Sequence, residues 1–173
     1  MILQTLGGSQ NTIGRYYIMN NFQKVVQLNE VFGKGSVGWE WNQLHSQMNL
    51  IDEEHKELED ALCNEDKEGV IDAVGDLLVV SYGLLHLAGI NADEVMARIS
   101  AANFSKLLVN QTEAEETLYK YNTLDVKTKV TGDYPKAYIV VIKDCIDTMG
   151  KFYPKGKFLK NVNWKAPKYG DLL

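Results

Sequence analysis

Apolar residues recur at steps of three and four through the first two-thirds of the chain, and that period gives way to alternation near the end. From Asn20 to Phe32, the residues Phe22, Val25, Val26, Leu28 and Val31 form a stripe that stops at Gly33-Lys34-Gly35, which predicts a first helix ended by glycine. A second helix is predicted from about Glu40 to Leu62. There Trp41, Leu44, Met48, Ile51, His55, Leu58 and Leu62 lay one seam along roughly six turns. His55 is its only polar member and reads as a satisfied core histidine. After the loop Asn64-Glu65-Asp66-Lys67, a third helix is predicted from about Glu68 to Leu87. Val70, Ile71, Val74, Leu77 to Val80, Leu84, Leu85 and Leu87 leave it almost no polar face, the pattern of a helix in the middle of a bundle. Gly89 stops it. Asn91 followed by Glu94, and Thr112 followed by Glu115, read as N-caps with an acid three residues on. They open a fourth helix to about Leu108 and a short fifth ending near Tyr121.

After Asn122 the β-branched and aromatic run Ala137 to Lys143 predicts a strand, with Gly156 to Lys160 as its expected partner. Residues 1–18 are broken by Gly7, Gly8, Ser9, Asn11 and Gly14 and are set aside as an extension. The expected fold is therefore all-α, a four- to five-helix bundle core with a small C-terminal β-hairpin and loop appendage. Its divisions are an extension at 1–18, a helical domain at 19–122 and the appendage at 123–173.

Composition adds limits. The chain has 173 residues, 45% hydrophobic and 24% charged, with a net charge of -5. That length suits one domain with a small addition. An acidic chain is a poor candidate for sequence-independent binding of DNA or RNA, so no nucleic-acid partner is expected. Cys63 falls in a helical pattern and Cys145 in a hairpin, and both read as free thiols of a reducing compartment. No signal sequence opens the chain, and no uninterrupted apolar run reaches the roughly 18 residues of a membrane span. The expectation is a cytoplasmic protein, or one of the host cytoplasm if phage-encoded, with no membrane partner.

Two acidic clusters stand out. Glu53, Glu54 and Glu57 lie on adjoining turns of the second helix, a pattern that is more often a solvated face. Asp72 and Asp76 lie four apart in the most apolar helix of the chain. A pair of buried carboxylates costs several kcal/mol unless something neutralises it: Lys or Arg partners, shared protons, or metal. The third helix has no Lys or Arg after Lys67, which removes local ion pairing. Oxygen-only ligands suit hard cations such as magnesium or manganese. An antiparallel neighbour with a short connecting loop brings Glu54 and Glu57 to the same depth, giving four carboxylates across two helices. The competing structural account pairs Asp72 and Asp76 with Arg98 or Lys106, or sets them around a water-filled gap. Near the end of the fourth helix, Asn103 has a side chain suited to metal or phosphate and Lys106 a charge suited to phosphate; a lysine favoured by the helix dipole explains Lys106 equally well.

These residues resemble the all-helical nucleoside triphosphate pyrophosphohydrolases, the superfamily of MazG-like enzymes, dimeric dUTPases and phosphoribosyl-ATP pyrophosphohydrolases. The resemblance rests on Leu50-Ile-Asp-Glu-Glu-His-Lys-Glu-Leu58, which carries E-E-x-x-E, on Asp72 to Val80 with Gly83, on Gly89-Ile-Asn91, and on Asn103-Phe-Ser-Lys-Leu107. It covers about Asn20 to Leu107. Gly156 to Lys160 and Asn163 to Pro167 look like the tail of a phosphoribosyl-ATP-pyrophosphohydrolase-like subgroup often found in phages. The sequence departs from the family at one place. The third helix of the family has E-x-x-D, whereas here Ala73 stands three before Asp76 and the acid is Asp72.

The resemblance implies magnesium, with manganese as a substitute, held by Glu54, Glu57, Asp72 and Asp76. Glu53 is the additional acid that orients or deprotonates water. Lys106 and Lys56 steady the phosphates with Asn103. The implied reaction hydrolyses a (d)NTP between its α and β phosphates, in a homodimer or homotetramer with a small-molecule nucleotide as substrate. Asn42, His45 and Gln47, with Trp39 and Trp41 nearby, precede the acids and are candidates for a base pocket. Two rival readings stand beside this one: a phosphoribosyl-ATP pyrophosphohydrolase, and a non-catalytic helical interaction module.

Overall fold

The structure, a computed structural model, describes residues 19–173; the extension set aside at 1–18 lies outside them. Among the described residues, five helices are followed by a small antiparallel strand appendage, the all-α class with a β addition that the periodicity predicts. It divides into two compact units, one up to Ala92 and one from Asp93 to Leu173. The division falls well before the boundary expected near residue 122, because the end of the helical series clusters with the strands.

In the first unit, α1 (Asn21–Val31) begins at a capping box. Asn20 accepts from the Gln23 N–H, and the Gln23 side chain accepts from the Asn20 N–H. α2 (Trp41–Cys63) and α3 (Lys67–Leu87) form an antiparallel hairpin. Asp66 caps α3 by accepting from the N–H groups of Glu68 and Gly69. Gly69 lets the helices close at this end: a Cβ there would stand 2.7 Å from the Asp66 carboxylate and 3.1 Å from the Ala61 Cβ. At the other end the Gln47 amide donates to the Val80 carbonyl at 3.0 Å and passes over Gly83. α1 packs on α3, where Phe22 meets Tyr82 edge-on at 5.9 Å.

Two expectations for these helices are corrected. The inward face of α2 is Leu44, Gln47 and Ala61, with Ile51, Glu54 and Leu58 half-buried between them. Trp41, Met48 and Leu62 of the predicted seam are 63%, 43% and 59% exposed, and His55 is no core histidine but an exposed residue 4.0 Å from Glu59. The seam is turned because two polar residues, Gln47 and Glu54, occupy the packed face, which a hydrophobic period cannot register. Within the chain, α3 is also not the centre of a bundle. Only Ala73, Gly83 and Leu87 are buried, while Ile71 and Leu78 are 75% and 55% exposed. By length and composition α3 would reach across a membrane, although no uninterrupted apolar run does. It pairs along its length with α2 and carries two aspartates mid-helix.

In the second unit, the residues of α4 (Ala92–Phe104) from Asp93 onward are joined by α5 (Gln111–Thr123). The cap of α5 is Asn110, whose side chain accepts from the Glu113 N–H, and not Thr112 two residues on. β1 (Thr128–Thr131) pairs antiparallel with β2 (Tyr138–Val141), and β3 (Cys145–Ile146) with β4 (Phe152–Tyr153). The partner expected for β2 is present as well: Val140 bridges Phe158, and the Leu159 N–H donates to the Ile139 carbonyl. Ile139, Val141, Leu108, Val126, Tyr121 and Leu159 close a core beneath this sheet.

Candidate functional site

The hairpin contacts fix how the acids of α2 and α3 face one another. With Gln47 against Val80 and Ala61 against Gly69, the antiparallel register puts Glu54 level with the turn from Ala73 to Asp76. Glu57 falls about level with Ala73, next to Asp72. Glu54 belongs to the packed face, whereas Glu53, Glu57, Asp72 and Asp76 are exposed. Burial holds the Glu54 carboxyl above the usual range, and the charges of Glu57, Asp76, Glu53 and Asp72 push it further up. All five acids expected at the site therefore share one electrostatic field centred on Glu54. Lys56 lies on the same helix, exposed.

The exposure of Asp72 and Asp76 overturns the premise that they pay a burial cost. The face of α3 that bears them is open within the chain, so water solvates them. Ion pairing with Arg98 or Lys106 is not needed to account for them: Arg98 is engaged by Asp171 and Glu94, and Lys106 donates to Asn103 at 2.8 Å. Among the described residues, no group of three or more His, Cys, Asp or Glu side chains converges closely enough to hold a metal ion. The arrangement is a concentrated negative patch of oxygen donors. Its chemistry fits a hard divalent cation, and a closed cage would require side-chain rotation or further ligands.

A cavity of about 480 Å³ lies next to this patch, lined by Gly33, Lys34, Gln43, Ser46, Gln47 and Leu50 among others. Gln43, Gln47, Leu50, Glu54 and Glu57 follow one another at helical steps, so the cavity lies one turn before the acids on the same face of α2. Of the base-pocket candidates, Gln47 lines it, its amide already committed to Val80. Asn42 and His45 are exposed and not among its lining residues. Trp39 and Trp41 pack on each other at 5.6 Å, both exposed, so Trp41 is no core residue. Gln43, Ser46 and Leu50 escape the sequence reading because a mixed polar and apolar face gives no amphipathic signal. Asn103 and Lys106 belong to the second unit, where the Lys106 ammonium also stands 5.5 Å over the Phe158 ring.

Residues 37–103 match the phosphoribosyl-ATP pyrophosphohydrolase family, and a domain of that MazG-like kind is present over this stretch. It contains all five acids, Lys56, the base-pocket candidates and Asn103. An uncharacterized protein of Acanthamoeba polyphaga mimivirus is 34% identical over 102 residues, covering 56% of this chain and 37% of the relative. The chain thus spans little more than a third of that relative's length.

Proposed function

We propose that this protein is a metal-dependent nucleotide pyrophosphohydrolase that hydrolyses a (d)NTP between the α and β phosphates. The observation that carries the reading is that acids of α2 and α3 lie across the antiparallel hairpin from one another within the family-matched stretch. Water adds across the phosphoanhydride; the products are a nucleoside monophosphate and pyrophosphate. Glu54, Glu57, Asp72 and Asp76 are the residues that would hold magnesium, or manganese in its place. Such an ion neutralises phosphate charge and lowers the pKa of a bound water. Glu53 would orient the attacking water or take its proton. Lys56, on the same helix, holds phosphate oxygens. The cavity beside Gln47 receives the base, one helical turn from the acids, which is the offset a nucleotide needs between base and phosphates.

The open acids and the exposed apolar residues Ile71 and Leu78 suit a homodimer or homotetramer in which a second copy covers α3. A cytoplasmic setting fits this substrate.

The test measures pyrophosphate release from each canonical NTP and dNTP and from phosphoribosyl-ATP, with magnesium, beside Asp76→Asn. Release that falls by about 100-fold or more in the variant supports the reading and names the substrate. Preference for phosphoribosyl-ATP, which the family description favours, would move the substrate and leave the chemistry. A folded protein that releases nothing from any of them is a helical interaction module instead.

A further inference from the structure

The net charge of -5 hides a division. Up to Ala92 the sequence has thirteen acids and five bases; from Asp93 it has ten acids and thirteen bases. The basic excess is concentrated in the strand region, where ten lysines and three aspartates lie between Lys127 and Lys168. Whole-chain charge is therefore a poor guide to what this unit binds.

The sheet gives the lysines an ordered setting. Ile139 and Val141 point into the core, so Tyr138 and Val140 face outward. In register, Lys129 stands opposite Val140, and Phe158 bridges Val140 from the other side. Lys160 follows Phe158 by two residues, both exposed, with Leu159 buried between them. The outer face is thus Lys129, Tyr138, Val140, Phe158 and Lys160 with Thr131, and it contains no carboxylate. Tyr138 and Phe158 meet edge to face at 5.3 Å, and Phe158 is 37% exposed. Lys106 stands over the Phe158 ring, and Lys160 over Trp164 at 3.4 Å.

Paired aromatics on an outward sheet face, ringed by ammonium groups, form a stacking platform with phosphate partners at its margin. We propose that this face binds single-stranded nucleic acid. A base stacks on Phe158 in place of the Lys106 ammonium, which then lies beside the phosphate, and Lys129 and Lys160 neutralise the neighbouring phosphates. A duplex does not suit the site, because its bases are not free to stack. The proposal departs from the expectation of no nucleic-acid partner and does not depend on the pyrophosphohydrolase reading.

The experiment follows fluorescence anisotropy of a labelled twenty-nucleotide oligo-dT with the full chain, in EDTA so that metal-dependent chemistry is silent. Three phosphate contacts predict affinity about 20-fold weaker at 200 mM than at 50 mM salt. Phe158→Leu keeps apolar cover on Val140 but removes the ring, and should weaken binding at least about 5-fold. Lys129→Glu with Lys160→Glu should weaken it at least about 10-fold, with melting curves showing that both variants fold. Three results would overturn the proposal: no binding at 50 mM salt, equal binding of a duplex, or binding that Phe158→Leu leaves intact and heparin displaces equally well. The last identifies a general polyanion surface.

Discussion

The two units solve the problem of burial differently. The second unit closes its core within one chain: Leu108, Ile139, Val126, Val141 and Thr117, the largest fully buried side chains among the described residues, all belong to it. Two of its cations are also paired, Arg98 with Asp171 and Glu94 and Lys127 with Asp125. In the first unit Ile71 and Leu78 are in water, and Glu54 faces other acids. The unit that holds the five acids is thus, among the described residues, the one with no large side chain fully buried.

Core truncation tests this difference most forcefully. Ile139→Ala should cost ~2–5 kcal/mol in denaturant melts, the range for a large side chain lost from a packed core. Ile71→Ala, on a residue 75% exposed, should fall within about 0.5 kcal/mol if α3 stays uncovered. If the loss at Ile71 approaches that at Ile139 and varies with protein concentration, a second copy covers α3, and the contrast between the units belongs to the single chain only.

The next test addresses the acids. Removing the central charge with Glu54→Gln should raise the thermal stability of the metal-free protein, because it ends the cost of burying a charge and relieves repulsion from four carboxylates. The sign in pH agrees. A carboxyl raised above its unfolded value favours folding while protonated, and that contribution is lost as pH rises through the folded value. The same variant should abolish stabilisation by magnesium, which on the proposed reading should reach about 2.7 kcal/mol for the unaltered site at 100 times the dissociation constant. A Glu54→Gln protein that melts lower without metal and still gains from magnesium would show that the acids do not act as one site.

The sequence made the extents of α2 and α3 legible, since the Asp66 cap and the loop around it are local signals. The short antiparallel loop also set Glu54 and Glu57 opposite the aspartates of the third helix, and the charges of those acids do reach Glu54. What it missed depends on pairing across the chain. Gln47 is packed only because the Val80 carbonyl receives its amide, so the α2 seam could not be read from apolar residues alone. The exposure of Asp72 was hidden because an apolar helix and a covered helix look alike in one sequence. β1, Thr128–Thr131, is short and carries an outward lysine, and it is a strand only by virtue of β2.

The smallest expected effect concerns the closed unit. Arg98 donates to both carboxylate oxygens of Asp171, at 2.6 and 2.7 Å, and to the Lys168 carbonyl, tying the C-terminal residues to α4. The Arg98 guanidinium pulls the Asp171 carboxyl down to about 2. A carboxyl lowered in the folded state stabilises above its unfolded value and loses that contribution as pH falls through the folded one. The clasp should therefore hold at pH 4 and open only near pH 2. Asp171→Asn at neutral pH should raise amide exchange at residues 168–172 by about twofold to fivefold, since an exposed pair contributes little. Exchange at Ile139 and Val141 should stay unchanged. If those core amides also loosen, the clasp is part of the fold of the second unit, and its closure depends on charge as well as on apolar packing.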